Sequence, residues 1–246
     1  MKIALFFLLQ LTILIIFDLF SFFEIIDLQA EIKILIRALN IYCIYLYSRY
    51  IGLKFDWFGS NRTMLFTLSI ILILISFWIH FDSPVSVIEN GVFLLVCLGV
   101  GFYEEAMLRV FLFEGIRQKM LFNLNNKTSI IVITSAVFAI MHYINILNEG
   151  TFFSVTNQVF FAFGMGCLFQ SLLIRYKSYV LVGTIHGLVN YFGSFHSTLL
   201  EKNTLTTNLP SDLQSNIWSL FMIVVINILF VFPLCYVLLA KSRKSI

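Results

Sequence analysis

Apolar stretches recur along the whole chain, and each has the roughly 20-residue length that a helix needs to cross the hydrocarbon core of a bilayer. Of the 246 residues, 60% are hydrophobic and only 12% are charged, whereas soluble domains are about 45–50% apolar and about 25% charged. The sequence therefore predicts an all-α polytopic membrane bundle of about eight transmembrane helices. The stretches lie near residues 3–23, 33–52, 63–81, 86–113, 128–147, 152–174, 178–198 and 216–240.

Composition leaves little room for a second kind of domain. Three prolines and twelve glycines do not provide a disordered linker, so we expect one integral membrane domain over residues 1–246. The net charge of +3 is too small to indicate a nucleic-acid partner. The four cysteines lie singly in apolar stretches, which favours neither a disulfide framework nor a zinc cluster. They are Cys43, Cys97, Cys167 and Cys235.

Charge alternates between successive loops. Lysine and arginine occupy one set of loops and both chain ends, while aspartate and glutamate occupy the other set. Because basic loops stay in the cytoplasm, an even number of spans with both termini cytoplasmic satisfies every loop. We therefore expect a multi-pass protein of the cell membrane. The basic set is Lys2, Arg49, Lys54, Arg62, Arg117, Lys119, Lys127, Arg175, Lys177, Lys241, Arg243 and Lys244.

The fourth stretch contains three charged side chains, which are costly inside a membrane and are candidates for function. Glu105 and Arg109 are four residues apart on one helix face and can form an ion pair. Glu104 is turned about 100° from Glu105 and needs another partner. A network that only fixes helix packing would explain Glu105 and Arg109 but would leave Glu104 unexplained.

Two further stretches carry polar groups at helical spacing. Phe138 and His142 are four residues apart in the fifth stretch, and His186 and Asn190 are four apart in the seventh. A single membrane histidine is ordinarily a packed core residue, but counting inward from the cytoplasmic loops places Glu104, His142, His186 and Asn190 at similar depths of about 12–20 Å. The shared depth predicts one site. Gly183 and Gly187, which flank His186, indicate close packing of a neighbouring helix.

One carboxylate, two imidazoles and one amide in a secluded layer suit hydrolysis of a peptide bond by activated water. Glu104 would be the general base, and His142 would hold or polarise the water. His186 and Asn190 could then donate hydrogen bonds to the developing oxyanion.

The pattern of Glu104-Glu105-x-x-x-Arg109, Phe138-x-x-x-His142 and His186-x-x-x-Asn190 resembles the family of CAAX prenyl endopeptidases and bacteriocin-processing or immunity proteins, also called CPBP or Abi intramembrane proteases. The resemblance covers roughly residues 95–198. It implies the same catalytic roles, with Glu105, Arg109 and Phe138 as structural support.

Dependence on a metal stays open at this point. Glu104, His142 and His186 have the number and type of zinc ligands, with an open position for water. In that case Glu105 would have to be the general base, although its predicted pairing with Arg109 occupies it. We therefore favour a glutamic-type enzyme with no cofactor, and zinc is the alternative.

Other functions compete with proteolysis. A non-catalytic immunity or regulatory protein on the same fold would bind a peptide without cutting it, but it has no need for all four polar groups. A proton-coupled transporter would also use intramembrane Glu and His, but the internal repeats typical of transporters are not evident.

For a protease we expect a membrane-associated peptide or lipidated protein as substrate, entering from the cytoplasm or the membrane. The resemblance implies either the carboxyl-terminal tripeptides of prenylated proteins or the precursors of small exported peptides, and we favour the latter.

Overall fold

The computed structural model describes residues 30–54, 57–59, 61–81, 83–114, 127–146, 151–195 and 213–242, together with positions 6, 9, 12, 118 and 199. Every regular element in these ranges is helical, and they contain no strand. The all-α prediction is confirmed.

Eight α-helices follow one another in the described ranges. Three of these helices continue directly into a 3₁₀ or π-helical segment. The 3₁₀ turn follows α4, and π-helical segments follow α3 and α7. The elements are α1 (Ala30–Tyr50), α2 (Arg62–Ile79), α3 (Val87–Glu105) with π segment Ala106–Phe113, α4 (Lys127–Met141) with 3₁₀ turn His142–Asn145, α5 (Phe152–Tyr176), α6 (Tyr179–Phe195), α7 (Leu213–Ile226) with π segment Asn227–Val231, and α8 (Phe232–Ser242).

The chain divides into two compact units. The first unit comprises Leu28–Gly115 and Lys177–Asn208, and it contains α1, α2, α3 and α6. The second unit comprises Met1–Asp27, Ile116–Tyr176 and Leu209–Ile246, and it contains α4, α5, α7 and α8. The single membrane domain expected from composition stays a prediction.

Five described helices are long and apolar enough to cross a membrane, and they make the chain a membrane protein. Helices α1 and α6 coincide with two further predicted stretches, near 33–52 and 178–198. The first stretch, 3–23, lies outside the described residues apart from isolated positions. The count of eight and the cytoplasmic side of both termini stay predictions. The five spans are Arg62–Ile79, Val87–Phe113, Thr128–Asn145, Phe152–Tyr176 and Ile217–Ala240.

In the first unit, α3 and α6 meet backbone to backbone through glycines. A Cβ atom on Gly101 would lie 2.8 Å from the Cα of Gly187 and 2.9 Å from the carbonyl oxygen of Gly183. A Cβ on Gly187 would lie 2.6 Å from the Cα of Leu98. The predicted packing role of Gly183 and Gly187 is confirmed, because only residues without a side chain permit this approach.

The start of α6 is held by hydrogen bonds and by an aromatic contact. Ser178 lies before the first turn, and its hydroxyl accepts the N–H of Leu181 at 3.2 Å, as helix-capping serines do. The N–H of Val180 donates to the carbonyl of Trp57 at 3.0 Å, and the Trp57 ring meets Tyr179 edge-on with a centroid distance of 4.4 Å. These contacts anchor the helix two turns before His186.

In the second unit, α4 and α5 pack closely around a small residue. A Cβ on Gly166 of α5 would lie 3.0 Å from the Cβ of Ser135 and 3.2 Å from a ring carbon of Phe138, both on α4. The hydroxyl of Thr134 donates to the carbonyl of Ile130 on its own helix at 2.9 Å, and it lies 3.4 Å from Oε1 of Gln170 on α5. The contact supports the part of α4 that leads to His142.

Candidate active site

Helix α3 changes from α to π geometry immediately after Glu105. The N–H of Ala106 is shared by the carbonyls of Phe102 and Tyr103. The hydroxyl of Tyr179, from α6, donates to the same Phe102 carbonyl. π-helical segments inside α-helices are frequent at functional sites, and this one begins directly after the two adjacent acids.

Glu105 is shared by a guanidinium and an imidazole. Nη1 of Arg109 donates to Oε1 of Glu105 at 2.5 Å, which is the ion pair predicted from the spacing. Nδ1 of His186 lies 2.9 Å from the same oxygen. All three side chains are buried, with exposed fractions of 1%, 1% and 3%. Because a carboxylate oxygen accepts, Nδ1 of His186 carries the hydrogen and donates it.

The other nitrogen of the same ring faces Glu104. Nε2 of His186 lies 3.5 Å from Oε2 of Glu104, whose side chain is 26% exposed. Oε2 itself is buried and accepts no hydrogen bond from the described residues. His186 therefore lies between two carboxylates: the buried Glu105 on its Nδ1 side and the partly open Glu104 on its Nε2 side. The sequence predicted a partner for Glu104 other than Arg109, and the group that faces it at 3.5 Å is this imidazole.

His142 lies in the second unit, with its ring orientation determined by its own helix. Nδ1 is 2.9 Å from the carbonyl oxygen of Phe138, and the Phe138 ring meets the imidazole edge-on at a centroid distance of 4.7 Å. A carbonyl can only accept, so Nδ1 carries the hydrogen. In the neutral ring, Nε2 then offers a lone pair, which suits it to accept a hydrogen bond from water or to bind a metal.

Asn190 is half-buried on α6, one turn beyond His186. The next residue, Tyr191, is fully buried, and its hydroxyl donates to the side-chain oxygen of Asn90 on α3 at 2.5 Å. This further hydrogen bond between α3 and α6 holds the turn of α6 that carries Asn190.

Zinc would need a third protein ligand besides Glu104 and His186. Among the described residues of the first unit, no group of three His, Cys, Asp or Glu side chains is arranged to hold a metal ion. The third ligand expected from the sequence, His142, lies in the second unit. The zinc alternative thus stays a prediction from the sequence.

Two features of this site were missed from the sequence. The contact of His186 with Glu105 was not expected, since Glu105 was assigned to Arg109 alone. Gly101 was not singled out, although a third glycine three residues before Glu104 is a recognisable signal of close helix packing, and it faces Gly183 and Gly187.

Residues 86–192 match the family model described as type II CAAX prenyl endopeptidase Rce1-like. The match covers every motif residue from Glu104 to Asn190, and it confirms the resemblance found in the sequence. No curated protein and no solved structure matches the chain significantly.

Proposed function

Residues 86–192 form an Rce1-like domain of the CPBP family, a family of proteases, and on this premise we propose that the chain is an intramembrane endopeptidase that uses Glu104 to activate water. The observation that carries the proposal is the position of His186, whose two ring nitrogens lie 2.9 Å from Glu105 and 3.5 Å from Glu104. An arrangement of this kind can hold a proton beside the reacting base.

In the proposed reaction, a carboxylate oxygen of Glu104 takes one proton from water as the water oxygen attacks the carbonyl carbon of the peptide. His142 accepts the second hydrogen of that water through Nε2 and so orients it. Collapse of the tetrahedral intermediate breaks the C–N bond, and the proton held by Glu104 passes to the leaving amine. The products are a carboxylic acid and an amine, and Glu104 returns as a carboxylate.

Asn190 and His186 are proposed to stabilise the oxyanion. An amide or imidazole donor aimed at that oxygen is worth about 3–4 kcal/mol of transition-state stabilisation. Because Nδ1 of His186 donates its hydrogen to Glu105, the ring can donate to an oxyanion only when Nε2 also carries a hydrogen. Glu105, held by Arg109, balances the positive charge that the ring then has.

The burial of Glu105 favours the metal-free mechanism. In a zinc mechanism with Glu104 as a ligand, Glu105 would have to act as the base. Glu105 is 1% exposed, and one of its oxygens already binds both Arg109 and His186. A base so enclosed has poor access to water, so we assign the base to Glu104, which is partly open.

For the substrate, we propose a membrane-associated peptide or a lipidated protein at the cell membrane. The family description names CAAX prenyl endopeptidases, so the carboxyl-terminal tripeptide of a prenylated peptide is the first substrate to test. Precursors of small exported peptides are the second. A non-catalytic immunity or regulatory protein remains the alternative function, and it would bind such peptides without cutting them.

The test compares wild type with Glu104→Gln in lipid nanodiscs, using a quenched fluorescent peptide with and without a prenyl anchor. The matched control is Glu114→Gln, the same isosteric change at the residue immediately after the π-helical segment Ala106–Phe113. Loss of a general base lowers kcat by about 10²–10⁴-fold, and we expect this for Glu104→Gln only. Cleavage at the wild-type rate by Glu104→Gln would refute the assignment, and binding without cleavage by wild type would favour the non-catalytic alternative.

A further inference from the structure

Helix α4 narrows to 3₁₀ geometry at the residue proposed to orient the water. The 3₁₀ turn runs over His142–Asn145 and follows the α-helical part without a break. In a 3₁₀ helix the side chains at positions i and i+3 eclipse one another. Asn145 therefore lies along the same edge of the turn as His142.

Asn145 is tied to the neighbouring helix. Its Nδ2 donates to Oε1 of Gln158 on α5 at 2.8 Å, and both side chains are half-buried. The ring of Tyr143, in the same turn, stacks on Phe152 near the start of α5 with a centroid distance of 6.4 Å. The turn is thus fastened to α5 by one short hydrogen bond and one aromatic contact.

The His142 ring cannot be redirected by itself without losing a bond. Its Nδ1 donates to the carbonyl of Phe138, and rotation of the ring would break that hydrogen bond. The direction of Nε2 thus changes chiefly when the whole turn moves relative to α5. The bond between Asn145 and Gln158 opposes that movement.

We propose that Asn145 and Gln158 are positioning residues that hold the His142 turn and so direct its Nε2 toward the attacking water. This inference rests on the proposed function, because it gives the pair a task in the same reaction. The pair acts on the chemical step through His142, while binding of the substrate does not depend on it.

The experiment is a double-mutant cycle of Asn145→Ala, Gln158→Ala and the double variant, with kcat and KM measured on the membrane-anchored peptide in nanodiscs. Misplacement of a catalytic group by about 1 Å costs up to about 100-fold in rate, so we expect kcat to fall by about 10–100-fold with KM unchanged. Because the two residues act through one bond, the double variant should be no slower than either single one. Gln158→Glu keeps an acceptor for Asn145 and should stay close to wild type.

Thr134→Val is the matched control, since it removes another polar contact between α4 and α5, the 3.4 Å approach of the Thr134 hydroxyl to Gln170, about two turns before His142. A general loosening of the helix pair would lower kcat in this variant as well. Should Asn145→Ala fail to accumulate, Gln158→Ala and Gln158→Glu test the same bond from α5. Equal kcat in Gln158→Ala and Thr134→Val, or additive losses in the double variant, would overturn the inference.

A second measurement needs no peptidase activity. Diethyl pyrocarbonate modifies unprotonated imidazole nitrogen, and mass spectrometry gives the rate at His142 in each preparation. Release of the turn should raise that rate several-fold in Asn145→Ala and Gln158→Ala, but not in Thr134→Val. If wild type cuts no peptide and the modification rate at His142 still rises in the two alanine variants, the proposed function fails, while the hold of Asn145 and Gln158 on the His142 turn stands. If wild type cuts the peptide and the two alanine variants change neither kcat nor the modification rate at His142, the positioning role fails and the proposed function stands.

Discussion

Glu105 offers a test of whether the second acid only braces the helix or also holds His186, the imidazole for which we propose a catalytic role. Its Oε1 accepts from Arg109 at 2.5 Å and from His186 at 2.9 Å. The change Glu105→Gln keeps the shape of the side chain but removes its charge. Arg109 then remains 1% exposed without its carboxylate, and His186 loses the anion beside Nδ1.

The expected loss of stability follows from the buried guanidinium. Breaking a buried ion pair from one side costs about 3–5 kcal/mol, because the remaining charge stays out of water without compensation. Replacing both partners by uncharged groups of similar size is often neutral, because no charge is then buried. We therefore expect Glu105→Gln to unfold at lower temperature than wild type, and the double variant Glu105→Gln with Arg109→Met to recover most of that loss.

Activity should not recover with stability. In both variants His186 has no carboxylate at Nδ1. The amide oxygen of Gln can still accept the Nδ1 hydrogen, but no anion is left to balance a positively charged imidazolium ring. Removing such an outer partner of a functional histidine lowers activity by about 10–100-fold in metal sites, and we expect a similar factor here. Thermal unfolding in detergent and kcat on the membrane-anchored peptide are measured on the same preparations. If the double variant regains both stability and activity, Glu105 is only a brace and the reasoning from the His186 contact is wrong.

Two further predictions follow from the packing and the chemistry. Gly187→Ala would place a Cβ 2.6 Å from the Cα of Leu98, so we expect about 1–3 kcal/mol of destabilisation and lower activity. The control Gly193→Ala has nothing within 4 Å of the added carbon and should keep both stability and activity. Equal unfolding temperatures for the two variants would contradict the backbone contact. A chelator should leave peptidase activity unchanged, because we assign the base to Glu104 acting alone; loss of activity that zinc restores would instead support the Glu104, His142 and His186 ligand set.

The ion pair of Glu105 with Arg109 was predictable because residues four apart on a helix are neighbours whatever the rest of the fold does. The contact of Glu105 with His186 joins residues 81 positions apart. Helical spacing predicts that Glu104 and Glu105 point in different directions, but it does not say which of them meets an imidazole on another helix. The π geometry over Ala106–Phe113 also changes the angle between successive residues, so helix faces counted by α-helical turns become displaced along this segment, although Glu105 still meets Arg109.

The sequence by itself determined that the chain is a helical membrane protein, and its motif residues were enough to indicate the resemblance to the family whose model matches residues 86–192. Hydropathy, charge alternation and four-residue spacings are local properties, so they can be interpreted without knowledge of the helix packing. Only the tertiary structure decided that His186 lies between Glu104 and Glu105, and that Gln158 accepts a hydrogen bond from Asn145 in the turn of His142. These contacts depend on how far each helix is rotated about its axis and shifted along it. Close approach at Gly101 and Gly187 sets the packing of α3 on α6, and a linear pattern does not encode that geometry.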